Sequence, residues 1–234
     1  MTLKALHDSL ELWEARERRA HRNHQNSGKE GRKDREKHWI EKEREAEKMV
    51  ARRRKQIEER GVWRPQIVTS GQLGLKFQNL FGTKGTPQKL AGHYTAGARA
   101  KDMAALKKEM IADHVLHINR GFGGLSYEAM VSDDGCLGLG NPMWRKSAAV
   151  AGQNSNLVSI CCPGTTGDKM TEAQIRTVLW YFNNAHTTAI PKPYRSTVRL
   201  SKLLLRAHRE FPKQATACPG AMTPQYHEID KRLT

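Results

Sequence analysis

No run of apolar residues in this 234-residue chain approaches the roughly 20 that a membrane-spanning helix requires. The longest, Leu203-Leu-Leu205 and Leu157-Val-Ser-Ile160, are core-sized. The opening residues Met1-Thr-Leu-Lys-Ala-Leu-His-Asp lack a basic segment followed by an apolar one, so no secretory signal is expected and synthesis in the cytoplasm is. The four cysteines, Cys136, Cys161, Cys162 and Cys218, include no CxxC spacing. Reduced thiols are therefore the expectation, and a disulfide framework is not. There is no internal repeat and no heptad register long enough for a coiled coil. Zinc-finger, helix-turn-helix and aromatic-basic motifs are absent too, which leaves specific nucleic-acid recognition without a carrier.

Positive charge is what the chain has in abundance, at a formal +16. Its distribution divides the sequence. Up to Gly61 there are 18 Lys/Arg against 13 Asp/Glu and few large apolar residues, a net +5 that leaves +11 for residues 62–234. From Val62 onward, Gly, Pro, β-branched residues and apolar runs supply the makings of a core. The expected organisation is a charged helical arm or hairpin over 1–61 and one folded domain over 62–234. A basic surface favours encounter with polyanions, and the phosphate-bearing polymers of bacterial walls qualify as well as nucleic acid does.

In the arm, Leu6, Leu10 and Trp13 form a narrow apolar stripe on a helix predicted over 3–24. Asn26-Ser-Gly28 and Gly31 break it. A second helix is predicted over about 33–60, with Gly61 as its C-terminal cap and alternating charges along 41–48. In the domain, 88–95 reads as a strand and 98–119 as a helix with Met103, Leu106, Met110, Val115 and Ile118 near helical spacing. Asp133-Asp-Gly135 is a hairpin signal, with 136–139 as the returning strand. The run 156–162 is a further strand. Thr171 N-caps a helix that buries Ile175, Val178, Leu179 and Phe182, and residues 198–207, helical or extended, lead to His208. A last helix follows Thr223 as N-cap and Pro224. Interleaved strands and helices predict an α/β fold, a mixed central β-sheet flanked by helices and preceded by the charged N-terminal helical arm.

Three side chains invite a metal reading. His93 ends a predicted strand, and His208 and Cys218 lie close together near the end of the domain. A catalytic zinc site commonly takes three protein ligands and leaves a fourth position open, and two imidazoles with one thiolate meet that count. Each also has a plainer reading, His as a capping residue and Cys218 as a small buried thiol before the Pro219-Gly220 turn.

The segments around these residues resemble a known family. His93-Tyr-Thr-Ala-Gly97, Arg120-Gly-Phe-Gly-Gly-Leu-Ser-Tyr127, Ala207-His-Arg-Glu210 and Thr216-Ala-Cys-Pro-Gly220 are similar, in order, to the motifs of the type-2 N-acetylmuramoyl-L-alanine amidases. That family includes amidase-type phage lysozymes and the peptidoglycan recognition proteins. The likeness spans roughly 87–234 and leaves the arm uncovered. It implies a mixed sheet with flanking helices, Zn2+ held by His93, His208 and Cys218, and Tyr127 as a catalytic residue on the strand after the Gly-rich turn. Thr216 stands where the phage enzymes often have Lys, as in the amidase-active recognition proteins, and is expected to assist catalysis by hydrogen bond. The sequence departs from the family where Glu128 replaces a common His and where Ala149-Val-Ala-Gly-Gln-Asn154 lacks another. Cys161 stands where some cytoplasmic relatives carry a catalytic Glu; it and Cys162 are read as core residues.

The expected activity is hydrolysis of the amide between N-acetylmuramic acid and L-alanine of peptidoglycan, with Tyr127 and Thr216 as donors to the oxyanion. Tyr127, Glu128 or a water relay would protonate the leaving amine. The expected setting is a phage endolysin, made in the host cytoplasm and acting on the wall once the membrane opens, its basic surface drawn to anionic wall polymers. The alternatives are a non-catalytic peptidoglycan-binding module of the same fold and a cytoplasmic wall-recycling amidase.

Overall fold

A computed structural model of the chain describes residues 12, 13, 15, 16, 19, 23, 37–49 and 63–233. They belong to two compact units, Met1–Trp63 and Arg64–Thr234. In the first unit every described residue before Trp63 is helical. Trp13, Arg16 and Arg19 line one groove together with Trp39, Lys42 and Ala46, so the two helical stretches lie side by side. Ala46 is buried there, and the Arg16 guanidinium sits 4.6 Å above the Trp13 ring. Leu6, Leu10, the 26–31 break and the Gly61 cap fall outside the described residues. No helix among the described residues is long and apolar enough to cross a membrane.

The second unit is built on a six-stranded mixed sheet with the order β1-β4-β3-β5-β2-β6. The strands are β1 (Ile67–Thr69), β2 (Lys89–His93), β3 (Ala129–Val131), β4 (Leu137–Leu139), β5 (Leu157–Cys161) and β6 (Leu205–Ala207). Only β3 and β4, joined by the Asp133-Asp-Gly135 turn, pair antiparallel; the other neighbours are parallel. Helix α1 (Met103–Asn119) covers one face, with Leu106 and Met110 against Met130 and Cys161. Helices α2 (Glu172–Asn184) and α3 (Thr223–Leu233) cover the other, with Val178, Phe182, Tyr226 and Ile229 against Leu90, Val158 and Ile160. The alternation of a strand explains why neighbours part company. Cys162 joins the α2/α3 core while Cys161 joins the α1 side.

Several elements differ from the sequence expectation. Helix α1 begins at Met103, not near Ala98, because Asp102 takes the N-cap and accepts from Ala105 N at 2.9 Å. Its buried face is also rotated. Asp113, His114 and His117 point inward with Leu106 and Met110, whereas Val115 is 51% exposed. The imidazoles turn in because they satisfy backbone amides that lack a ladder partner. His114 Nδ1 accepts from Leu125 N and His117 Nδ1 from Ser126 N, each at 3.2 Å. Thr171 caps α2 in a full capping box with Gln174. Thr223, by contrast, is the first helical residue of α3, running straight on from the short turn Gly220–Met222, and its hydroxyl has no hydrogen-bond partner. Residues 198–207 split into a short turn at Leu200–Lys202 and strand β6.

Two interactions fix the middle of the sheet. Tyr226 of α3 lies flat on Gly92, so close that a Cβ at 92 would stand 2.6 Å from its ring, and its hydroxyl donates to His93 O at 3.0 Å. On the α1 face, the side chains of Lys84 and Glu128 form an ion pair with no solvent exposure. Asn141 Nδ2 (2.8 Å), Ser159 N (2.6 Å) and Ser159 Oγ (2.8 Å) also donate to the Glu128 carboxylate. A buried charge is tolerated only when paired and hydrogen-bonded in this way.

Gly92→Ala is expected to lose about 2 kcal/mol or more of unfolding free energy in urea titration, since neither the strand nor the ring can yield without breaking the Tyr226 bond. Lys84→Met should cost about 3–5 kcal/mol by leaving Glu128 buried and unpaired, and Lys84→Met combined with Glu128→Gln should cost less than Lys84→Met alone.

Candidate metal centre

Strand β2 is paired on both sides by parallel neighbours, β5 and β6. Its C-terminal end therefore lies beside theirs, and His93 is its last residue, 1% exposed. His208 follows β6 directly, opening a one-turn segment at His208–Glu210. The Glu210 carboxylate accepts from Ala207 N at 2.8 Å and holds that turn shut. Cys218 comes back alongside because Arg209 N donates to its carbonyl at 2.9 Å. Beyond it, Gly220 adopts φ +61 and packs against the Thr166 backbone, where a Cβ would stand 2.3 Å from Thr166 O. Backbone bonds thus bring three residues from separate segments to one point.

The ligand atoms of His93, His208 and Cys218 lie within 4.8 Å of one another, so the group could hold a metal ion. Cys218 Sγ is 3.8 Å from His93 Nδ1 and accepts from Tyr94 N at 3.4 Å. The donor chemistry fits. His93 Nε2 is buried with no hydrogen-bond partner, and burial, with His208 and then His117 nearby, holds the ring well below the usual imidazole range. Burial lowers His208 as well. Both rings are therefore neutral near pH 7 and offer lone pairs. The tautomer of His208 follows from Gln214, whose amide nitrogen donates to Ala151 O (3.1 Å) and Pro212 O (3.0 Å). Its oxygen is left to face His208 Nε2 at 3.2 Å. Nε2 is then the donor and Nδ1 the free lone pair, the outer-shell arrangement usual for a ligating histidine. Burial pushes the Cys218 thiol up to about 11, so a cation bound there would displace a proton from it.

Tyr127 stands next to the three, its ring centroid 5.2 Å from that of His93 and 5.6 Å from that of His117. It lies two residues ahead of β3 and not on the strand. Burial, then the neighbouring Cys161 and Asp113, raise its phenol well above the usual range, so it stays protonated and acts as a donor. Thr216 Oγ1 accepts from Cys218 N at 3.1 Å, which ties it to the ligand loop and leaves its own proton to give. Glu128 does not belong to this group. Lys84, Asn141 and Ser159 occupy its carboxylate, and that removes it as a proton donor.

Of two further neighbours, the sequence reading set Cys161 in the core and missed Asp113. Cys161 pairs with His93 in the β2/β5 register, which puts both side chains on the α1 face, and it is one of the groups that raise the Tyr127 phenol. Asp113, on the inward face of α1, is 6% exposed and its Oδ2 has no partner. The signal for Cys161 was its place where some relatives carry a Glu, and parallel register is what brings it beside His93. For Asp113 it was the spacing Asp113-x-x-x-His117, which an apolar-stripe reading passes over.

No protein-family model matches the chain, and no curated protein matches it in sequence. Solved structures do. Drosophila peptidoglycan recognition protein SD superposes with a TM-score of 0.60 at 17% identity, covering 70% of this chain and 95% of that one. The fold is that of the peptidoglycan recognition proteins. Human PGRP-IBETAC, solved in complex with glycosamyl muramyl pentapeptide, gives a TM-score of 0.56 at 19% identity over 69% of this chain and 94% of its own. The N-acetylmuramoyl-L-alanine amidase LysC from Clostridium intestinale gives 0.50 at 21%, over 73% and 98%. The recognition-protein fold thus occurs in proteins named for binding and in one named for cleavage.

Burial, then the Glu109 carboxylate, raises Asp113 to about 7 against an ordinary 3.8, with Arg120 acting the other way. The folded state then holds a proton that the unfolded chain releases near pH 4, so Asp113 costs stability increasingly as pH rises from about 4 to 7. Asp113→Asn should therefore gain stability over wild type at pH 8, by a few kcal/mol at about 1.4 kcal/mol per pKa unit. The gain should shrink steadily toward pH 4 in denaturant titrations run at both pH values.

Proposed function

We propose that this protein is a zinc-dependent N-acetylmuramoyl-L-alanine amidase acting on bacterial peptidoglycan. The observation that carries the reading is the His93, His208 and Cys218 group at the C-terminal ends of β2 and β6. It combines two neutral imidazoles and one thiol in a fold shared with peptidoglycan-binding proteins and with an amidase. Bound by these three residues, zinc would supply Lewis-acid polarisation of the amide carbonyl and acidify a water molecule.

The remaining work falls to the chain. Tyr127, kept protonated by burial, donates its hydroxyl hydrogen to the developing oxyanion. Thr216 donates from the ligand loop, its lone pair already committed to Cys218 N. Oriented donors in a site of low polarity commonly contribute about 3 kcal/mol each to the barrier. With Glu128 committed elsewhere, the proton for the leaving amine is left to Tyr127 or to a water relay that returns the proton lost by the attacking water. Tyr94 OH, 3.0 Å from Thr166 Oγ1, and Arg99, bonded to Asp133 at 2.8 Å, brace the loops around the site.

The biological setting we propose is a phage endolysin that reaches the wall from the cytoplasm once the membrane opens. The formal charge of +16 supports attraction to an anionic wall. Binding without cleavage is the competing reading, favoured by the number of recognition proteins that share the fold. The complete His-His-Cys group is what favours catalysis over it.

Purified protein is expected to carry one equivalent of zinc and to release soluble stem peptides with a free L-alanine amino terminus from peptidoglycan. His93→Ala and Cys218→Ala should lose both metal and release. Tyr127→Phe should keep the metal and slow release on the order of a hundredfold. Undiminished release by His93→Ala, scored by mass spectrometry, would falsify the assignment.

A further inference from the structure

A second concave site lies at the opposite end of the sheet from the metal ligands. Residues 83–87 lead into the start of β2, and Met143 and Trp144 follow β4, which runs against β3. With Lys192, Pro193, Arg195 and Thr197, after α2, they line an open cavity of about 430 Å³. His93 is four residue steps along β2 from Lys89, about 13 Å at strand rise, so this cavity is no part of the metal centre.

Its construction is rigid. Lys84 N donates to Trp144 O at 2.8 Å, Met143 N to Pro193 O at 3.1 Å and Lys146 N to Gly82 O at 3.1 Å. The buried Lys84–Glu128 pair lies beneath. On this frame the Trp144 indole is 47% exposed, although its backbone is fixed.

The chemistry of the lining is one-sided. Lys192 and Arg195 contribute cations, Lys84 lines the cavity with its ammonium buried on Glu128, no lining residue is acidic, and Thr83, Thr86 and Thr197 add hydroxyls. Glu128 neutralises Lys84, so two cations remain for a ligand. Arg195 Nε donates to Ile190 O at 2.9 Å, which orients the guanidinium, and its two terminal nitrogens have no hydrogen-bond partner among the described residues. Trp144 offers a flat apolar face on which a sugar ring can lie, and the cations offer charge-assisted hydrogen bonds to phosphate.

The geometry points to a subsite for a phosphodiester-linked glycosyl or polyol polymer, with a sugar on Trp144 and a phosphate between Lys192 and Arg195. One aromatic and two free cations match a single sugar-phosphate repeat. A groove for single-stranded nucleic acid would be expected to offer a series of stacking platforms along a basic track. The choice of a wall polymer as the source rests on the amidase reading; the cavity and its chemistry do not.

The test uses the full chain and a glucosylated glycerol-phosphate trimer, with trithymidylate as the nucleic-acid comparison. Calorimetry at low salt should show wild type binding the glycerol-phosphate trimer more tightly than trithymidylate. Trp144→Ala and Arg195→Ala should each weaken that binding roughly tenfold, the loss of one stacking face or one charge-assisted contact. Both variants should melt as wild type does and release stem peptides from phosphate-polymer-free peptidoglycan within twofold of its rate. Unchanged trimer affinity in the Trp144→Ala, Arg195→Ala double variant overturns the subsite, as does tighter binding of trithymidylate that the same substitutions abolish. Absence of stem-peptide release by wild type would instead overturn the amidase reading, and the trimer titration would still decide the subsite.

Discussion

Strand β2 is held between two parallel neighbours, and Tyr226 presses onto its only glycine from the α3 side. Parallel pairing places the C-terminal ends of β5, β2 and β6 at one edge of the sheet. A ring lying on Gly92, with its hydroxyl on the His93 carbonyl, sets the height of that edge against α3. His93 then points to the α1 face at a fixed depth, and His208 emerges from β6 one strand away. The loop carrying Cys218 needs only the Arg209 amide to bring its thiol within reach of both. The meeting of three residues from distant parts of the chain, able together to hold a metal ion, depends on this one docking of helix on strand.

The α1 face buries many polar groups, and all but a few, Asp113 Oδ2 among them, are satisfied by neighbours. His114 and His117 accept the amides of Leu125 and Ser126, which steadies the segment that presents Tyr127. Burial lowers both rings, His117 to about 4, so they remain neutral acceptors at physiological pH. Lys84, Glu128, Asn141 and Ser159 close another polar cluster toward the start of β2. That cluster underlies the second cavity, so one buried ion pair braces a surface far from His93, His208 and Cys218.

Much of the fold was legible because local signals were strong. The β3–β4 turn announces itself in Asp133-Asp-Gly135, and the α2 start in Thr171. Val178 and Phe182 sit on the buried face that helical spacing predicts. The inward face of α1 was misread because an apolar-stripe rule assigns Val115 inside and His114 and His117 outside. The rule fails where imidazoles replace missing ladder bonds. Thr223 was misread for a related reason: a preceding helical turn supplied the helix start, leaving no terminus for its hydroxyl to cap.

By itself, the sequence determined which residues could do chemistry. Three side chains able to hold a metal ion stand in recognisable surroundings, in a series of motifs that also carries Tyr127 and Thr216, and the charge-rich arm is set apart from the domain by composition. Only the tertiary structure decided which of these residues meet. Glu128 is adjacent to Tyr127 in the chain yet turns into a buried ion pair, and Cys161 and Cys162 are neighbours that leave β5 on opposite faces. Strand alternation and parallel register assign side chains to faces and ends of the sheet. That assignment depends on pairings between segments far apart in the chain, and no local pattern carries it.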